Sequence, residues 1–167
     1  GLVLNGQVFL GRTGNAAGVG PLPVQGPDGQ MRRLFDSASM SVLEAMMTAA
    51  GESPDHLWES PNHWQVSEPV LQAWVDLAAE GLAGAILSAA TLLELEAVLI
   101  DGWMPPKVRA MVTLRTQEAL ARLDLSGVSM PQVREGTVGA QARSLGAAAI
   151  PLSQRYLIDQ NAAARGA

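Results

Sequence analysis

The sequence predicts an α/β fold, a mixed sheet with helices packed on it. Three features carry that expectation: a hairpin signature at the start, one long helical stripe of apolar residues in the middle, and short apolar runs alternating with helical patterns after it. Hydrophobic residues make up 48% of the 167 residues and charged residues 16%. That is the composition of a folded chain with a core. Aromatic residues are only 4%, so the core must be built from Ala, Leu, Val and Met. The whole of 1–167 reads as one domain, and a chain of this length buries roughly 70% of its extended surface on folding.

Residues 2–4 and 7–10 are apolar runs separated by Asn5-Gly6, which predicts strand, type I′ turn, strand. Gly11 to Gly20 forms a Gly-rich loop, and 22–24 is a third strand whose Pro23 marks an edge or a strand end. Residues 25–36 are polar, with Gly26-Pro27-Asp28-Gly29, and predict an exposed loop. Apolar residues then recur at 40, 42, 43, 46, 47 and 50, a helical period closed by Gly51. Pro54 and Pro61 cut residues 52–66 into short pieces. Ser67-Glu68-Pro69 opens the longest helix, with Ser67 as its cap and Pro69 in its first turn. Leu71, Trp74, Val75, Ala78, Leu82, Ala85, Ile86, Ala89 and Leu93 form its apolar stripe. A strand over 95–100 ends at Asp101-Gly102. Pro105-Pro106 begin a helix that runs to about Leu123, and Val133 marks a brief strand. Two last helices, 140–149 and 152–163, are split by Pro151.

The formal net charge is −5, and the densest basic pair is Arg32-Arg33. Nucleic-acid binding needs a basic stripe, so no direct nucleic-acid contact by this segment is expected. The chain has no cysteine, which excludes disulfides, cysteine zinc sites and cysteine nucleophiles and fits a cytoplasmic location. No uninterrupted apolar run reaches the ~20 residues that span a bilayer, and nothing resembles a signal peptide, so no membrane partner is expected. The sequence opens at Gly1 on a strand already under way, which leads to the expectation of a truncated chain.

Four stretches stand in a telling order: Gly1 through Val24 with its hairpin and Gly-rich loop, Val42-Leu43-Glu44-Ala45, Ala90 through Gly102, and Ser144 through Leu152. Together they resemble the C-terminal half of the ROK family (repressor, open reading frame, kinase). The resemblance implies one ribonuclease-H-like (actin-like ATPase) lobe. The sugar and ATP would lie between it and a missing N-terminal lobe that carries the phosphate loop and the catalytic Asp. Repressor members add a winged helix-turn-helix before both lobes, and this too is absent here.

Several positions depart from the family pattern. In the Gly-Glu-x-Gly-His motif the sugar-binding Glu aligns with Gly18 and the His with Pro21. The zinc loop aligns with 25–41, which has neither Cys nor His, so the usual tetrahedral ligand set is missing. The glycines of the nucleotide site, where backbone amides favour an anion, become Asp101-Gly102-Trp103, a vestige in which the carboxylate would repel phosphate. Glu44 stands where the family places its last sugar-contacting Glu. Candidate ligand-binding residues are therefore Glu44, Asn15 and Gly18, with Asp101 and Gly102 as the nucleotide-site vestige. No catalytic residue, metal or cofactor is assigned.

Each of these residues also has a purely structural explanation. Glu44 can be a surface Glu, the Gly14–Gly20 loop a tight turn, and Asp101 an N-cap acceptor ahead of Pro105. His56 and His63, beside Trp58 and Trp64, fit an aromatic packing cluster better than a metal site. Glu94 and Glu96 read as a solvated edge, and Met40, Met46, Met47, Met104 and Met111 as core filler. The expected function is the sugar-sensing and dimerisation lobe of a ROK-family transcriptional regulator, not catalytic alone. Its expected partners are a sugar effector and a second copy of itself. The alternatives are the C-terminal lobe of a diverged ATP-dependent sugar kinase acting on a hexose or amino sugar, and a stand-alone dimerisation module.

Overall fold

Turn chemistry settles the first element. Asn5 and Gly6 take φ values of 52° and 75°, as a type I′ turn requires. Val3 therefore faces Val8 and Leu4 faces Gln7 in the antiparallel hairpin of β1 (Val3–Leu4) and β2 (Gln7–Val8). The strands are shorter than the apolar runs around them, and their side chains reach no core: Val3 is 60% exposed and Val8 65%. The computed structural model describes residues 1–142 and 144–149. The helix expected over 152–163 lies outside the described residues.

A second hairpin pairs β3 (Pro23–Gln25) with β4 (Met31–Arg33). β4 falls where the sequence reads as exposed loop, because Met31-Arg32-Arg33 carries no apolar alternation. The turn makes the pairing. Gly29 supplies a φ of 76°, and Asp28 Oδ1 accepts the Gln30 N–H at 3.2 Å and the Arg32 guanidinium at 2.6 Å. The same stretch closes with the short helix α1 (Phe35–Ala38), which buries Ser37.

Helix α2 (Met40–Ala49) starts where Ser39 Oγ accepts the Val42 N–H at 3.4 Å and stops before Gly51, at φ 77°. Prolines confine α3 (His56–Glu59) to a single turn. Helix α4 (Glu68–Leu92) follows. Ser67 does not cap it through its hydroxyl. That hydroxyl and the Ser67 N–H both donate to the Glu52 carboxylate, which is held below its usual range by these bonds. Trp74 Nε1 donates to the Ser39 carbonyl at 3.1 Å and ties α4 to the start of α2.

The burial of α4 is wider than its apolar stripe. Ala79, Gly81, Ala83 and Ala90 are buried along with Trp74, Val75, Ala78, Ala85 and Ile86, because α5 covers one side of the helix while α1, α2 and β3 cover others. Leu93, at the end of the expected stripe, is 36% exposed. By length and apolarity α4 also matches a membrane-crossing helix, yet in this fold it is the central core helix.

The last strands, β5 (Ala97–Ile100) and β6 (Gln132–Glu135), run parallel from Ala97↔Gln132 to Ile100↔Glu135. Helix α5 (Pro106–Leu120) connects them and packs Val108 and Val112 into the core that holds Ile100 and Val133. Gln117 Nε2 fixes the layer by donating to the Val133 carbonyl at 2.8 Å. The helix expected over 140–149 is present at 142 and 144–149, and a 3₁₀ turn, Gly139–Gln141, precedes it. The fold is mixed α/β, as the sequence predicts. Among the described residues, however, its strands form three separate pairs rather than one mixed sheet. Strands of two to four residues offer too little ladder to bridge between pairs. Met47 is fully buried, and Met40, Met46, Met104 and Met111 pack around the core as expected.

Two glycines of α4 behave differently. A Cβ on Gly84 would meet only Val24, at 3.8 Å, whereas one on Gly81 would lie 2.9 Å from the Ser37 Cβ. Ala is better than Gly inside a helix by about 1 kcal/mol, while overpacking costs about 1–3 kcal/mol. In urea titrations Gly84→Ala should raise stability by about 0.5–1 kcal/mol and Gly81→Ala should lower it by about 1–2 kcal/mol. Equal effects at both positions would refute this account of the packing.

Candidate functional site

Polar chemistry gathers at the carboxyl end of the parallel pair. Because Ile100 faces Glu135, Asp101 and Gly136 leave the sheet side by side. The Gly136 N–H donates to the Ile100 carbonyl at 2.8 Å. A Cβ on Gly136 would lie 2.5 Å from the Asp101 side chain, so only glycine lets that carboxylate approach so closely. Asp101 Oδ1 accepts the Gly102 N–H at 2.9 Å and the Arg109 guanidinium at 3.3 Å. Oδ2 accepts the N–H groups of Val138 at 3.1 Å and Gly139 at 2.9 Å. Arg109, 16% exposed, also meets Glu135 Oε2 at 3.2 Å.

Partial burial alone would raise the Asp101 pKa. The amides of Gly139, Gly102 and Val138 and the charge of Arg109 outweigh it and hold the carboxyl below its usual range. Asp101 is therefore an internal anion seated in a ring of donors. It does not cap α5, whose first residues follow Pro105 without a side-chain cap. It closes the turn at 138–139 instead. Gly102, the other half of the nucleotide-site vestige, contributes its backbone N–H to this carboxylate. Sequence reasoning missed Arg109 and Gly136. The available signal was a glycine directly after β6, in register with Asp101.

The second polar group centres on Glu44 of α2. Its Oε1 accepts the Trp58 Nε1–H at 2.5 Å. Trp58 sits on α3, which is anchored by the fully buried Leu57 and by Trp103 Nε1 donating to the Leu57 carbonyl at 3.0 Å. The aromatic residues divide. Trp64 is buried edge-on to Trp74, with ring centroids 6.1 Å apart, while Trp58 is 51% exposed. His56 Nδ1 lies 3.0 Å from Glu59 Oε2, and His63 is exposed on the far side of Pro61. Among the described residues no group of three or more metal-ligating side chains converges. Glu94 and Glu96 are both exposed.

Asn15 and Gly18 form a third, separate feature. Both are exposed, in a turn where a Cβ on Gly18 would lie 3.1 Å from Asn15 Oδ1. Positive φ is needed at Gly11 and Gly14 and is also adopted by Ala17, at 54°, but not by Gly18. Gly20 is small for another reason, since the Phe35 ring occupies the space of a Cβ. An open groove of about 580 Å³ runs past Phe35, Ser39, Val42, Ala45 and Met46. Glu44, Asn15 and Gly18 do not line it. The candidate ligand residues thus occupy two places, the Asn15–Gly18 turn and the Glu44–Trp58 pair.

No protein-family model matches the chain, and no curated protein matches it significantly.

The Asp101 arrangement predicts a pH-dependent contribution to stability. A carboxyl with a lowered folded pKa stabilises the fold fully above its unfolded value of about 3.9 and loses that effect as pH falls through the folded value. At neutral pH Asp101→Asn should cost about 2–3 kcal/mol, since an amide oxygen replaces a charged acceptor and an NH₂ faces backbone donors. The gap between wild type and variant should narrow as pH drops below about 4. Urea denaturation across that range checks both outcomes, and a gap independent of pH would contradict them.

Proposed function

We propose that this chain is the sugar-sensing and dimerisation lobe of a ROK-type transcriptional regulator, with a ribonuclease-H-like lobe fold, acting in the cytoplasm and without phosphoryl transfer of its own. Support for the family comes from the order of the pieces. The hairpin, the Gly-rich loop, α2 with Glu44, the long α4 and β5 with Asp101-Gly102 follow one another as the resembling stretches do.

The single observation that favours a regulator over a kinase is the seating of Asp101. Phosphoryl transfer depends on positioning the phosphates and neutralising their charge. At the end of β5 the amide donors of Gly102, Val138 and Gly139 already serve a carboxylate. Among the described residues, the guanidinium there, that of Arg109, is shared between Asp101 and Glu135. A phosphate brought to this point meets negative charge and spent donors. A regulator needs no phosphate there, and the sugar-facing Glu44 remains available to couple a ligand to the rest of the protein.

The test is calorimetric titration of the native polypeptide with glucose, N-acetylglucosamine and ATP. The proposal expects saturable heat from a sugar, with a Kd anywhere from about 1 μM to 1 mM. It also expects neither ATP binding nor sugar-dependent ATP hydrolysis. Sugar-dependent turnover of ATP would establish the kinase alternative, and the absence of any sugar binding would sink the proposal.

A further inference from the structure

Trp58 is the feature that neither the core nor the alignment with the family explains. Its neighbour Leu57 is fully buried and fixes α3, yet Trp58 as a residue is 51% exposed. The ring is held in one orientation all the same, because its N–H is bound by Glu44 Oε1 at 2.5 Å. Its α3 backbone is clamped by Trp103 at the Leu57 carbonyl.

An indole N–H points outward in the plane of the ring. The Glu44 carboxylate therefore lies at the ring's edge and not over its face. Glu44 Oε2 makes no hydrogen bond to any described residue. A half-exposed indole with an acceptor-only carboxylate at its rim can take a cation or a neutral hydroxylated molecule, and the sugar-sensing reading selects the neutral molecule. That molecule has an apolar C–H face to lie on the ring and hydroxyl groups at its perimeter to donate to the carboxylate. A pyranose has both. A purely hydrocarbon aromatic ligand lacks the perimeter donors, and an anionic one is repelled by Glu44.

From this geometry we infer that Trp58 is the stacking platform of a saccharide subsite whose hydroxyl acceptor is Glu44. The inference rests on the sugar-sensing reading above and adds to it a residue fourteen positions from Glu44 in sequence. Trp58 orients Glu44 in the free protein and receives the sugar ring in the bound one.

The experiment is a ¹H–¹⁵N spectrum of the indole signals of the native polypeptide, with glucose and N-acetylglucosamine titrated up to roughly 20 mM, enough to reveal millimolar affinity. Trp58→Phe assigns the Trp58 signal. A saturable shift of that signal is expected. Trp58→Ala and Glu44→Gln should each weaken binding by about tenfold or more. Trp58→Phe, which keeps a stacking face, should retain most of it. The signals of Trp64, Trp74 and Trp103 in the unliganded variants report whether the fold is intact, and Glu44→Gln leaves an oxygen for the indole to bond. Sugar binding that leaves Trp58 unmoved, with Glu44→Gln and Trp58→Ala of wild-type affinity, overturns the inference and spares the sugar-sensing reading. No binding of either sugar overturns both. A Trp58 signal that responds only to protein concentration makes the ring a contact between copies and also overturns the inference.

Discussion

Apart from the β1–β2 hairpin, this fold is set by how closely other elements can approach α4. Among the positions that face its neighbours are Ala78, Ala79, Gly81, Ala83 and Ala85, all buried. Small residues there remove the side-chain layer that normally keeps elements 8–10 Å apart. Leu34 and Ser37 of the α1 region press on Gly81, and Val24 of β3 lies over Gly84. On another side α5 lies along the helix and places Val108 and Val112 against Ile100 and Val133. With so few aromatic residues, the core gains its contacts by proximity, and Trp64 packs edge-on against Trp74 of α4. Dispersion contacts of this kind are lost steeply with small gaps, and at Gly81, where the approach is tightest, there is no room for an added methyl group.

The placement of α5 fixes the polar end of the molecule. Arg109 projects from its first turns to reach both Asp101 and Glu135, and the parallel register brings Asp101 beside Gly136. A carboxylate at that point finds amide hydrogens that have no other partner among the described residues, and its ionised form is held by them against the cost of partial burial. The same donors that could greet an external anion are consumed internally. Glu44 belongs to a different arrangement, near the surface and bound to an exposed indole. The chain therefore separates a closed, self-satisfied polar cluster from an open one. That separation supports ligand sensing without phosphate chemistry.

Local signals in the sequence were legible where the physics is local. Asn5-Gly6 specified its turn, Gly51 its helix end, and the spacing from Trp74 to Ile86 specified α4. β4 was hidden because Met31-Arg32-Arg33 pairs through its backbone and a turn held by Asp28, neither of which leaves a hydrophobic period. The cap expected from Ser67 failed because Glu52, fifteen residues earlier, competes for its hydroxyl. Two of the four partners of Asp101 lie 37 and 38 residues away and act through backbone amides, which no side chain marks. Backbone amides have no residue identity, so composition and spacing could identify Asp101 as unusual without saying what it binds. The bond from Trp58 to Glu44 is likewise a product of the path taken between Pro54 and Pro61.

The most direct test of this account is the titration of the Asp101 side-chain carboxyl by ¹³C NMR, with and without inorganic phosphate. A carboxylate seated on the amides of 138 and 139 should titrate below the usual value of about 3.9, and its signal should be unchanged by phosphate at neutral pH. An ordinary titration midpoint, together with a phosphate-dependent shift, would show that the donors are open to an external anion and would contradict the central claim.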